Sequence, residues 1–151
     1  MRFSISTPRG SVVETEVDEV TAPGQEGEFG VLPEHIPLMA ALKPGVLTYR
    51  AHGRTTIMAG GEGFLQVAPT PPPSGDAAKA VDRVLVLVDR AVAATGIDRS
   101  AAQKTLAEAE AELGAWKQEL DGTYQALLVR RDWALAQVNA TERPSGSSAG
   151  A

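Results

Sequence analysis

Apolar and polar residues alternate near the start of the chain with the period of a strand. Phe3, Ile5 and Thr7 are interleaved with Arg2, Ser4 and Ser6, which gives an extended segment one apolar face. Residues 13–17 alternate less cleanly. Residues 46–50 and 55–58 flank the turn pair His52 and Gly53, and this arrangement predicts a β-hairpin. Residues 63–67 and 84–88 are two more β-rich runs. Many short strands with frequent Gly and Pro breaks predict a β-sandwich or flattened β-barrel.

The period changes after residue 97. Asp98 can cap a helix, because its carboxylate can accept from the free amides of the first turn. Ala102, Leu106, Ala109, Leu113, Trp116 and Leu120 then follow at steps of four and three, one stripe of a helix. Asp121 and Gly122 signal a turn, with Gly114 as an alternative break. Tyr124, Leu128, Leu135 and Val138 form a second stripe, with Leu127 and Ala134 alongside and Arg131 interrupting it.

The predicted organisation is a sandwich over 1–95, an antiparallel helical hairpin over 96–143 and a disordered tail over 144–151. Residues 69–80, with Pro71, Pro72 and Pro73, interrupt the strand series and are expected to form an exposed extended loop. A hairpin of ~45 residues lies near the lower size limit for independent folding. It must dock on the sandwich, bind a partner or remain mobile, which points to an interaction protein.

Composition sharpens the division. Nine of the ten prolines precede residue 75, and none falls between Asp98 and Arg143, where alanine is frequent. The 14 Lys+Arg against 19 Asp+Glu give a net charge of -5, which argues against a nucleic-acid partner held by a basic patch. With no cysteine, disulfides, thiolate metal sites and cysteine nucleophiles are excluded. The two histidines, His35 and His52, leave little for a metal site, and none is expected. The nearly uncharged run 63–78 is too rich in Pro and Gly for a membrane helix. The first residues lack an apolar signal core, so no secretion and a reducing or neutral compartment are expected.

Candidate chemistry is sparse. No glycine is followed by lysine, so the phosphate loop that ends in Gly-Lys is missing. No catalytic residue and no cofactor is assigned. Gly24, Gly27 and Gly30, spaced by three, suit turns or close backbone approach. His35 sits between Pro33 and Pro37 in a loop that the prolines stiffen, and it reads as a packed or interface histidine. Trp116 and Trp133 lie at helical spacing and read as core or docking residues. Arg130 and Arg131 form either a small anion site or a solvated helix face.

The run from Val20 to Leu38, with Gly24-Gln25-Glu26-Gly27-Glu28-Phe29-Gly30 followed by Leu32-Pro33-Glu34-His35-Ile36-Pro37-Leu38, resembles the signature of the epsilon subunit of bacterial rotary F-type ATP synthase, called delta in mitochondria. The resemblance continues through Leu42-Lys43-Pro44-Gly45 and through residues 60–67 and 84–92. It implies an N-terminal ten-stranded sandwich and a C-terminal helical hairpin in a non-catalytic rotor subunit of the central stalk. The implied partners are the gamma subunit, the ring of c subunits and, with the hairpin extended, the alpha/beta headpiece, where the hairpin inhibits ATP hydrolysis. The implied location is peripheral, on the cytoplasmic face of the inner or plasma membrane.

By the same resemblance, Gln25, Glu26, Gly27 and Glu28 meet the c ring, and Pro33, Glu34, His35, Pro37 and Leu38 face gamma. Asp98, Arg99, Arg130 and Arg131 are the implied nucleotide or headpiece contacts. Some family members bind ATP through Ile-Asp-x-x-Arg-Ala; here Ile97, Asp98 and Ala102 match, while Ala101 stands in place of the arginine. Without that guanidinium a main phosphate partner is lost, so weak or no ATP binding is expected. The alternative from a different class is a small sandwich-fold ligand-binding module or enzyme.

Overall fold

Strand β1 (Arg2–Thr7) lies between β2 (Gly10–Glu16), antiparallel to it, and β9 (Val81–Val88), parallel to it. The computed structural model describes residues 1–70 and 81–143. Of the proline-rich stretch 69–80, Pro69 and Thr70 end the strand Gly63–Thr70 rather than begin a loop, and residues 71–80, like the tail 144–151, lie outside the described residues. The remaining strands are β3 (Glu19–Gly24), β4 (Gly27–Val31), β5 (Leu38–Leu42), β6 (Gly45–Ala51), β7 (Arg54–Gly60), β8 (Gly63–Thr70) and β10 (Ala91–Ala93). A 3-10 turn, Ala94–Gly96, leads to helices α1 (Arg99–Gly114) and α2 (Gly122–Glu142).

The ten strands make one mixed sheet in the order β10-β7-β6-β3-β5-β8-β9-β1-β2, with β4 paired to β3. The sheet wraps one core. Alternate residues of eight strands meet there, among them Phe3, Ile5, Val20, Ala22, Val31, Leu42, Leu47, Met58, Leu65, Val67, Val84 and Val86. This is the sandwich or flattened barrel that the strand pattern predicts. His52 and Gly53 close the β6–β7 hairpin with φ of 52° and 73°, the positive values that a two-residue type I′ turn demands at both central positions.

Periodicity alone does not pick out β3, β4, β5 and β10. In β3 the alternation breaks because Ala22, Pro23 and Gly24 are buried in succession. In β4 only Val31 is fully buried. β10 is three residues long.

The helices differ from the predicted stripes at three points. Asp98 caps α1, its side chain accepting from the Ala101 amide, and the helix stops at Gly114, the alternative break, rather than running on to Asp121 and Gly122. Trp116 and Leu120 therefore fall in the connection. Trp116 packs against Tyr124 with ring centroids 5.5 Å apart, and Leu120 is 73% exposed. Asp121 is the N-cap of α2, accepting from the amides of Thr123 and Tyr124, so Gly122 begins a helix rather than ending one. Leu135, placed on the second stripe, is exposed; the buried positions of α2 are Leu127, Ala134, Ala136, Val138 and Ala140.

That buried set is wider than one stripe because α2 has two neighbours. One side packs along α1, which buries Ala102 and Ala109. The other lies on the outer face of β6 and β7, where Ala136, Ala140 and Trp133 meet Val46, Ile57, Ala59, Val92, Ala94 and Ile97. Alanine at 136 and 140, one turn apart, lets the helix approach the sheet closely. No helix among the described residues is long and apolar enough to cross a membrane.

Candidate functional site

The β3–β4 hairpin carries the first set of predicted site residues. A Cβ on Gly24 would stand 2.8 Å from the Gly27 carbonyl oxygen and 2.9 Å from the Phe29 ring, and Gly27 has φ of +134°. Both glycines are required by the turn: one for space, the other for its backbone. The tip is fastened to the neighbouring strand, since the Gln25 amide donates to Ala41 O at 3.1 Å and the Lys43 amide to Pro23 O at 3.0 Å. Gln25, Glu26, Gly27 and Glu28 are all exposed on this anchored tip. Glu28 lies within β4 and receives Arg143 Nη2 at 2.9 Å.

Residues 32–37 form the second set. The His35 amide donates to Leu32 O at 3.2 Å, and His35 Nδ1 lies 2.8 Å from Ile36 O. Glu34 has a positive φ of 68°, and its amide donates to the Asp82 carboxylate on β9. The loop is therefore pinned at its centre to a strand 48 residues away in sequence. Pro33, Glu34 and Pro37 are exposed and His35 is half-buried. Leu38 is no longer loop: it opens β5, opposite Val67, and packs on the main core.

These two sets come together. Gln25, Glu28, Phe29, His35, Leu38 and Ala40 border one open groove of about 610 Å³. The helical set does not converge. Asp98 is occupied as an N-cap, Arg99 pairs with Glu142 at 2.9 Å, and Arg131 pairs with the adjacent Asp132 at 2.8 Å. Arg130 bridges to Glu108 and Glu112 of α1 at 3.4 and 3.7 Å. Glu142 and Arg130 are 12 residues apart on α2, or about 18 Å of helix. Arg99 and Arg130 thus serve opposite ends of the helix pair and share no anion. Among the described residues, no three His, Asp or Glu side chains are grouped so as to hold a metal ion.

One surface was missed by motif reading. On the outer face of β5, β8 and β9, Phe64 stands opposite Leu87 and Gln66 opposite both Leu85 and Met39. Met39, Phe64 and Leu87 are 66%, 54% and 49% exposed. The sequence does hold a signal for it. Residues 84–88 run Val-Leu-Val-Leu-Val without a polar position, and a strand apolar on both faces is built to be covered on both. Its inner face fills the core; no part of the described chain covers its outer face.

Comparison with known proteins adds an independent line. Residues 1–71 match the family model for the ATP synthase delta/epsilon chain beta-sandwich domain. The chain is 40% identical to the ATP synthase epsilon chain of Anaeromyxobacter sp. (strain K) over 143 residues, covering 95% of this chain and 98% of that one. It is 36% identical to the ATP synthase epsilon chain of Nitratidesulfovibrio vulgaris (strain DP4) over 138 residues, covering 91% and 94%. Among solved structures, a chain of the Euglena gracilis mitochondrial ATP synthase has a similar fold, with a TM-score of 0.62 at 23% identity over 93% of this chain and 76% of that one. A chain of the Tetrahymena thermophila mitochondrial ATP synthase central stalk and c ring gives 0.57 at 17% identity over 93% and 96%.

Proposed function

The chain belongs to the ATP synthase delta/epsilon family, and on that premise we propose that it is a non-catalytic rotor subunit of the central stalk, coupling rotation of the c ring through gamma to the alpha/beta headpiece. In this reading 1–95 is the part that binds gamma and the ring, 96–143 is a regulatory hairpin, and the protein is peripheral to the cytoplasmic face of the membrane through the complex.

The observation that carries the reading is the uncovered apolar face of Met39, Phe64, Leu85 and Leu87. Contiguous apolar surface of this kind marks a protein contact. It continues in sequence into the loop of Leu32 and Ile36, which are 55% and 73% exposed. The gamma surface therefore comprises this sheet face together with Pro33, Glu34, His35, Pro37 and Leu38. The anchored, polar tip of Gln25, Glu26, Gly27 and Glu28 suits a second, flatter contact with the polar loops of the ring. A subunit that transmits torque needs contact loops that do not yield, and both of these are fastened to strands, the tip by backbone hydrogen bonds and the loop by the Glu34 amide donating to the Asp82 carboxylate.

The extended hairpin would bring Asp98, Arg99, Arg130 and Arg131 to the headpiece. Arg99 and Arg130 are paired across the two helices, so extension would free them for new partners, whereas Asp98 caps its own helix and Arg131 pairs with the adjacent Asp132. The test is a pull-down with the full chain from detergent-solubilised membranes of its source. Recovery of headpiece, gamma and c ring is expected; recovery of none of them would overturn the assignment.

A further inference from the structure

Glu28 has two demands on it. The ring seat proposed above requires its carboxylate to be open, yet Arg143, 115 residues away, holds it at 2.9 Å. Arg143 is the C-cap of α2, its own amide closing the last turn onto Asn139 O at 3.2 Å. Ala140, in the last turn of α2, is the final buried residue of the apolar docking. An open groove bordered by Pro23, Lys43, Pro44, Leu135 and Asn139 lies between the helix and the sheet, and Glu28 and Arg143 meet across its rim. The apolar cluster between α2 and the sheet takes Ala136, Ala140 and the partly buried Trp133 from the helix.

We infer that seating on the c ring and docking of the hairpin compete for Glu28. A ring loop that approaches this carboxylate meets the Arg143 side chain and the helix end that carries it. Seating must displace them, and displacement removes a tether from the C-terminal end of α2. By linkage the effect is reciprocal: a docked hairpin weakens seating by the same factor that seating weakens docking. The charges are 50% and 36% exposed, so solvent screens them, and the factor is up to about fivefold. This inference rests on the ring contact of Glu28 proposed above.

The experiment has two arms. In the first, hydrogen exchange of residues 133–141 is followed in the isolated full-length chain. Glu28→Gln and Arg143→Gln should each speed exchange by the same factor, up to about fivefold, and the double variant should add nothing. The reversed pair Glu28→Arg with Arg143→Glu should restore protection. Unchanged exchange in either single variant, or additive effects, would overturn the inference whatever the ring does. In the second arm, retention of the chain by a gamma–c-ring subcomplex in detergent is measured. Arg143→Gln should tighten retention by the factor seen in the first arm, and Glu28→Gln should weaken it. If the first arm succeeds but Glu28→Gln leaves retention unchanged, the ion pair is real and the ring contact is misassigned, so the competition fails. If Glu28→Gln weakens retention and Arg143→Gln leaves it unchanged, the ring contact stands and the competition alone fails.

Discussion

The guanidinium of Arg90, in the link between β9 and β10, lies 4.8 Å from the centre of the Trp133 ring on α2. Trp133 thereby faces an apolar patch of the sheet on one side and a cation on the other, and it is the largest side chain in the contact between the helices and the sandwich. Trp133→Ala should weaken docking by at most about 1.5–3 kcal/mol, the scale for a fully buried large apolar side chain, since Trp133 is only partly buried. Arg90→Ala should weaken it by about 0.5–1 kcal/mol, because the cation is partly solvated. The sandwich core contains neither residue, so its unfolding midpoint should move little. Hydrogen exchange along α2, set against urea unfolding followed through the strands, separates the two effects. Equal loss of protection in helices and strands would mean that the two parts unfold together.

A second prediction concerns the glycines of the β3–β4 turn. Gly24→Ala places a methyl group 2.8 Å from a backbone carbonyl, and neither that carbonyl nor the Phe29 ring beside it is a flexible side-chain end. It should cost about 1–3 kcal/mol, as overpacking does. Gly27→Ala meets no atom but forces a side chain onto φ of +134°, at a similar cost of about 1–3 kcal/mol. Glu28→Lys, one residue on and exposed, should change the stability of the sandwich itself by less than about 0.5 kcal/mol, while removing the Arg143 tether of α2 and weakening coupling between ring and headpiece. Urea midpoints and proton pumping by reconstituted complex check both halves.

How far these features were legible in the sequence depends on which neighbour sets the pattern. β1, β8 and the β6–β7 hairpin have one face on the core, and their alternation or turn pair announces them. β3 and β4 hold the motif glycines, whose value lies in absent side chains, so hydropathy says little about them; only the resemblance marks the segment. α1 stops at Gly114, which the sequence offers as an alternative break; the apolar stripe alone runs on to Trp116, which instead packs on Tyr124, a contact between residues eight apart that helical spacing cannot express. Leu135 falls outside the buried arc because α2 is gripped from two sides, and that arc is shifted toward alanines that a pattern of large apolar residues does not mark. The groove shared by Glu28 and His35, and the pairing of Glu28 with Arg143, depend on tertiary closure alone.

The uncovered sheet face yields a third prediction. Phe64→Asp and Leu87→Asp place charges on an outer surface that is already half in water, so the isolated protein should keep its fold. Each should reduce binding to gamma by about fivefold or more, because an apolar anchor at the centre of an interface contributes upward of about 1 kcal/mol. Retention on immobilised gamma, with circular dichroism as the control for folding, decides it. Normal retention would move the gamma contact off this face and back to the loop of Pro33, Glu34, His35 and Pro37.

A fourth prediction is that ATP binds weakly or not at all. Ala101 offers only its amide, and that is spent on the Asp98 cap. Arg99, Arg130 and Arg131 are separately paired and do not converge. Calorimetric titration of the full chain should show no binding at micromolar ATP; a micromolar site would mean that these arginines leave their carboxylates and gather around the phosphates.

The last prediction is that residues 98–143 regulate and are dispensable for assembly. The sandwich keeps its own core of fourteen buried residues without them, and every residue assigned to the gamma and ring contacts lies within it. The hairpin adds a second, smaller cluster, in which α2 contributes Ala136, Ala140 and the partly buried Trp133. A contact of this size places the docked and extended forms within a few kcal/mol of each other, a gap that a partner with modest differential affinity can tip. Deleting everything after Ile97 would bare Val46, Ile57 and Ala59, so the truncated chain should be more prone to associate at high concentration, while its strands remain as protected as before. Within the reconstituted complex it should support assembly and ATP synthesis, and ATP hydrolysis should rise. Comparing hydrolysis rates of complexes built with the full and truncated chains checks this. Equal rates would remove any inhibitory role for the hairpin under those conditions, and failed assembly would show that α2 on β6 and β7 is part of what holds the subunit in place.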